Sequence, residues 1–177
     1  MKGTSMKNAA ILTLTLGTLL LPAAWAGAQE QSTMGAAIRI GLFFPVDSFT
    51  KATGGKQWTT FGLDYRIKRL GSNNDGSDES LGLSLDFLQK GNFRNTPVLL
   101  NYVSESGQMY YFVGAGAGFT KLRNDDNENE NRIRPAYQFG LGYKFAMNSM
   151  PMFAEVKWVG SSEQRFNGWG VYAGFRF

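Results

Sequence analysis

The chain has 177 residues, a formal net charge of +4, 22 glycines, 14% aromatic residues and neither cysteine nor histidine. These counts exclude a disulfide framework, a thiolate metal site and a thiol nucleophile, and they remove the commonest general base and the commonest zinc ligand. Mean hydropathy is −0.24 although 43% of residues are apolar, so apolar and polar residues are finely interleaved in what the length suggests is one domain.

At the N-terminus, Lys2 and Lys7 precede an apolar run from Ala9 to Leu21, then Pro22 and the small-residue stretch Ala23-Ala24-Trp25-Ala26-Gly27-Ala28. This order of basic, apolar and small residues is that of a secretory signal peptide. The run falls short of the roughly 20 residues that span a bilayer as a helix. Residues 1–28 are expected to be removed, with the mature start at Gly27 or Gln29, leaving 29–177 as the working domain. Cleavage removes two lysines, so the basic pI is poor evidence for a nucleic-acid partner, and none is expected.

From Met34 onward the period is two, which predicts strands. Ala36, Ile38, Ile40, Leu42 and Phe44 alternate with Gly35, Ala37, Arg39, Gly41 and Phe43. Phe61, Leu63, Tyr65 and Ile67 alternate with Thr60, Gly62, Asp64, Arg66 and Lys68. Leu81 to Phe87 alternates with Gly82, Ser84 and Asp86. Segments around Val98–Val103, Tyr111–Thr120, Tyr137–Phe145, Met152–Trp158 and Trp169–Phe177 behave likewise, giving eight predicted strands. Between them lie turn-rich stretches: Pro45–Lys56, Leu70–Glu79, Gln89–Thr96, Ser104–Met109, Lys121–Arg134, Ala146–Pro151 and Gly160–Asn167.

Alternation fits a soluble barrel as well as a membrane barrel, so residue size must decide which face is inside. One face is almost continuously Leu, Ile, Val, Phe, Tyr and Trp. The other carries glycines and the charged residues Arg39, Asp64, Arg66, Lys68, Asp86, Lys144, Glu155, Lys157 and Arg176. An eight-stranded barrel has an interior only just wide enough for side chains. The bulky face would overfill it, so that face is expected outside, against lipid, with the charged set forming a polar network in the lumen. In hydrocarbon a sheet must also close, because unpaired edge groups cost several kcal/mol each. Aromatics gather toward both ends of the apolar face. Tyr65, Tyr102, Tyr111, Tyr143, Phe145 and Phe175 lie toward one rim, and Phe44, Phe119, Tyr137, Trp158 and Trp169 toward the other, as interfacial girdles do.

With its signal peptide, eight alternating strands, the segment YFVGAGAGF at 111–119 and the terminal GVYAGFRF, the mature chain resembles the small outer-membrane barrels of the OmpA, OmpX and OmpW type. The resemblance implies an all-β, closed antiparallel up-and-down eight-stranded transmembrane β-barrel in the bacterial outer membrane. It also implies that Trp169, Phe175 and Phe177 serve as an assembly signal read by the barrel-assembly machinery, with periplasmic chaperones as transient partners. Tyr172 departs from the glycine often found in that signal, and Leu70–Glu79 is long for a periplasmic turn. Lipid, including lipopolysaccharide, is the expected permanent partner, and a monomer the expected state.

Other chemistry finds little footing. The run Gly114-Ala115-Gly116-Ala117-Gly118 lacks the third glycine of a dinucleotide fingerprint, having Phe119 there. The acidic stretch Asp125, Asp126, Glu128 and Glu130 lacks the turn glycine of a calcium loop and is balanced by Lys121, Arg123, Arg132 and Arg134. The lipid A-modifying enzymes of similar size rely on a histidine beside a serine, and this chain has no histidine. No catalytic residue, no metal ligand and no cofactor is therefore expected. Two functions stay open: a structural or surface barrel with a side-chain-filled lumen, and a narrow pore or conduit for small ions or apolar small molecules. Pro45–Lys56, Gln89–Thr96, Lys121–Arg134 and Gly160–Asn167 would be the outer loops.

Overall fold

The computed structural model describes residues 35–73, 76–123, 129–147 and 150–177. The expected signal peptide, both cleavage points and the acidic residues Asp125, Asp126 and Glu128 lie outside these residues. Among the described residues eight strands form one closed antiparallel barrel in chain order: β1 (Gly35–Pro45), β2 (Trp58–Ser72), β3 (Asp78–Lys90), β4 (Phe93–Ser106), β5 (Met109–Arg123), β6 (Asn129–Met147), β7 (Met150–Ser161) and β8 (Gly168–Arg176). β1 closes against β8 from Ala37↔Arg176 to Pro45↔Gly168, and Phe177 and Ala36 exchange both backbone hydrogen bonds below that ladder, at 2.9 and 3.1 Å. This is the architecture of the small barrels that the sequence pattern resembles.

The faces divide as alternation requires. Ile40, Phe61, Val113 and Leu141 are more than half exposed on the outer wall, while Ala37, Arg39, Phe43, Asp86 and Lys157 are buried inside. Glycines on the inner face give room to large side chains, both across the ladder and two residues along the same strand. A Cβ at Gly142 would fall within the Tyr110 ring, and one at Gly170 would overlap the Tyr172 ring.

Several expected loops are shorter than their composition suggests. Gln89–Thr96 is almost wholly strand, because Lys90 pairs with Phe93 around Gly91 and Asn92. Ser106 likewise pairs with Met109 around Gly107 and Gln108. Gly91 and Gly107 hold φ of 56° and 58°, the left-handed values that two-residue hairpins need and that glycine adopts without steric cost. Pro45–Lys56 instead folds into a helix, α1 (Ser48–Gly54), whose first turn is capped by Asp47 Oδ1 accepting from the Thr50 amide at 2.7 Å. Gly160–Asn167 includes one 3-10 turn at Gln164–Phe166. Both segments lie at the end opposite the termini, referred to below as the loop end.

Candidate functional site: the barrel lumen

The lumen is filled in layers. At the loop end Phe43, Trp58, Leu88, Phe93, Val159 and Phe166 form an apolar cap. Trp58 stacks on Phe93 at 5.9 Å between ring centroids, and Phe166 meets both edge-on at 6.3 Å. Phe49 of α1 packs edge-on against Phe93 from above, and the Trp58 indole donates to the Gly55 carbonyl at 3.2 Å. Phe43, Trp58 and Phe93 point inward by strand parity, and Phe49 of α1 and Phe166 of the 3-10 turn complete the lid that those strand residues begin.

Beneath the cap lies a polar layer centred on Asp86, which is wholly buried. Its Oδ1 accepts from Arg39 at 2.8 and 3.2 Å, and its Oδ2 accepts from Lys157 at 2.6 Å. Arg39 also pairs with Asp64. Lys157 continues to the Gln138 carbonyl at 3.1 Å, and Gln138 donates to Asn101 at 2.6 Å and to Ser84 at 2.8 Å. The Tyr172 ring lies 4.7 Å from Lys157 Nζ and 5.5 Å from Arg39 Cζ, within cation–π range. Six strands thus share one hydrogen-bonded network, which is how a narrow lumen carries charge without leaving it unpaired.

A second polar layer lies nearer the termini and is centred on Glu105. Its carboxylate accepts from Arg66 at 3.0 Å, Lys144 at 2.9 Å and Arg176 at 3.3 Å. Arg66 also donates to Ser80 at 2.8 Å. Tyr110 donates to Glu155 at 3.1 Å, and Ala37, Val103, Tyr110, Phe112 and Phe153 form an apolar wall on the same level. Between the layers, bounded by Arg39, Asp64, Arg66, Tyr110 and Glu155, a cavity of about 30 Å³ remains. That volume holds about two water molecules.

Of the residues singled out in the sequence, the lumen brings together Arg39, Asp64, Arg66, Asp86, Lys144, Glu155, Lys157 and Arg176. Lys68 is not among them. Arg66 pairs with Gly82 but Lys68 pairs with Leu81, so Ile67 is an extra residue, and this bulge turns Lys68 to the exposed outer face. Sequence reasoning missed Glu105, which anchors three cations, together with Asn101, Tyr110 and Gln138. Glu105 continues the inward phase of Leu99, Asn101 and Val103, and that phase was its available signal. Trp169, Phe175 and Phe177 all lie on the outer face. Phe175 and Phe177 are neighbours at 5.8 Å, whereas Trp169 sits at the other rim against Trp158 at 5.3 Å. The described residues contain no group of three acidic, histidine or cysteine side chains placed to hold a metal.

No family model and no curated protein matches the chain. Among solved structures, it is similar to the N-terminal β-barrel domain of Pseudomonas aeruginosa OprF, at 15% identity over 81% of this chain and 98% of that one, with a TM-score of 0.47. It is also similar to Ail, the attachment invasion locus protein of Yersinia pestis, at 19% identity over 81% of this chain and 99% of that one, with a TM-score of 0.44.

Proposed function

We propose that the protein is an integral, non-enzymatic barrel of the bacterial outer membrane with a structural or surface role, and that its lumen is closed. The observation that carries this reading is the pairing of an apolar outer wall with a filled interior. Outward-facing Ile38, Ile40, Leu42, Leu63, Val113, Phe139, Leu141 and Val171 are all exposed and form one wall. A soluble barrel would leave that wall in water, an apolar patch far beyond the few hundred Å² monomers usually expose. Nine outward and inward positions from Ala36 to Phe44, tilted as in membrane barrels, rise roughly 20 Å. The absence of histidine from the sequence speaks against the acyl-transfer chemistry of similar-sized barrels.

A surface role draws support from the loop end. β5 and β6 stay paired as far as Arg123↔Asn129, while β7 reaches β6 only at Ala136↔Ser161. β6 therefore rises above β7, while β4 accompanies β5 as far as Phe93↔Leu122, and Asn129–Arg134 has no strand partner on its β7 side among the described residues. Lipid and lipopolysaccharide are the partners this reading requires, with the assembly machinery during insertion. The narrow-pore reading has only the small cavity in its favour, and the aromatic cap stands across its path.

Planar-bilayer recording of refolded protein tests the closed lumen. A silent bilayer is expected, and discrete current steps that scale with salt would overturn it. The same preparation should migrate differently on a denaturing gel before and after boiling, as a stable membrane barrel does.

A further inference from the structure

Outside the lumen, the outer wall of β4, β5 and β6 has an ordered composition. Reading down from the loop end, cross-strand partners form the rows Arg94–Lys121–Asn131, Thr96–Phe119–Ile133, Val98–Ala117–Pro135 and Leu100–Ala115–Tyr137. The first row is polar and exposed, with two cations directly opposite each other. Like charges at opposed positions destabilise a sheet, yet among the described residues neither Arg94 nor Lys121 has a carboxylate partner. Phe119 and Ile133, about half and two-thirds exposed, stand immediately below. A recess of about 540 Å³ is bounded here by Arg94, Thr96, Phe119, Asn131, Arg132 and Ile133, and Lys121 stands beside Arg94 outside its lining. Beneath it Ala117 lies between Val98 and Pro135, and Ala115 between Leu100 and Tyr137, so two small methyls leave a shallow furrow down the apolar wall.

We propose that this surface seats a phosphate-bearing lipid of the leaflet at the loop end. The phosphate would bridge Arg94 and Lys121, and an acyl chain would lie along Phe119 and over Ala117. A phosphate removes the repulsion between the two cations, and a guanidinium with an adjacent ammonium suits its several acceptor oxygens. The furrow supplies the apolar length that a free anion would not use, which commits the site to a lipid. The proposal rests on the membrane-barrel reading and adds a ligand to it.

The test is native mass spectrometry of barrel refolded in zwitterionic micelles and titrated with bisphosphorylated lipid A, phosphatidylcholine or inorganic phosphate. Gel migration before and after boiling on each sample reports folding separately, so loss of the barrel is distinguishable from loss of the site. The wild-type barrel is expected to retain lipid A in preference to phosphatidylcholine and to show no retained inorganic phosphate. Arg94→Gln/Lys121→Gln should lower lipid A occupancy roughly tenfold. Ala117→Phe, which fills the furrow but keeps both cations, should lower it as well. Lys51→Gln/Lys56→Gln removes the same charge from the same end and should change nothing. Equal loss in the two double variants would overturn the site, as would wild-type barrel that folds but shows no preference for lipid A. Retention of inorganic phosphate matching that of lipid A would overturn the lipid assignment.

Discussion

Asp86 has no exposed surface and accepts from both Arg39 and Lys157, so its carboxylate is shared by two cations that cannot reach water. Removing one partner of such an arrangement leaves uncompensated buried charge and typically costs about 3–5 kcal/mol. Asp86→Ala is therefore expected to lower the unfolding free energy of vesicle-reconstituted barrel by an amount in that range, read as a lower urea midpoint, whereas Lys51→Ala on exposed α1 should leave the midpoint unmoved. An unchanged midpoint for Asp86→Ala would mean that the Asp86 layer contributes little net stability. Most of the cations and acids in this lumen were readable from the sequence, because alternation assigns a face to every residue of an unbroken strand. Lys68 and Glu105 show where that logic stops. A bulge at Ile67 shifts the phase without any glycine or proline to announce it. Glu105 sits in Ser-Glu-Ser-Gly-Gln, a composition typical of turns, although the strand runs on through Ser106.

At the scale of elements, the strands were legible and their ends were not. Two-residue turns at Gly91 and Gly107 absorb only the residues that need left-handed backbone, and register with the partner strand decides how far the ladder continues. The helix α1 was missed because seven residues are too few for a 3.6-residue period to stand out. Asp47 does carry a cap signal for it. The hydrogen bond from the Thr50 amide holds the Asp47 carboxyl below its usual range. A lowered folded value means that this stabilisation is complete above the ordinary carboxylate range near pH 4 and is lost as pH falls through the lower folded value. Asp47→Ala should fray α1 by about 1 kcal/mol at neutral pH. Amide protection factors at Thr50 and Lys51 should fall in the variant and, in the wild type, only on acidification. Exchange equally fast in both proteins at pH 7 would show that packing of Phe49 on Phe93, and not the cap, holds the helix.

For the barrel as a whole, the decisive question is which solvent meets which face, and the tryptophans answer it without reference to any ligand. Trp58 is fully buried in the cap within the lumen, while Trp158 and Trp169 pack edge-to-face on the outer wall near the loop-end rim. Aromatic residues at that level of a membrane barrel sit where acyl chains meet headgroups. In single-tryptophan variants, with the other tryptophans replaced by phenylalanine, vesicles of acyl-brominated phosphatidylcholine should quench Trp158 and Trp169 strongly and leave Trp58 nearly unchanged. An aqueous quencher such as iodide should show little access to any of the three. If bromine failed to reach Trp169 while iodide did, the apolar wall would be facing water or a protein partner, and the membrane reading would fall. The lumen would then stand unchanged, because its ion pairs and aromatic cap are formed between strands inside the barrel and owe nothing to the surrounding phase. This independence is why closure of the interior and insertion in a membrane are separate claims, the first resting on packing between strands and the second on the wall alone.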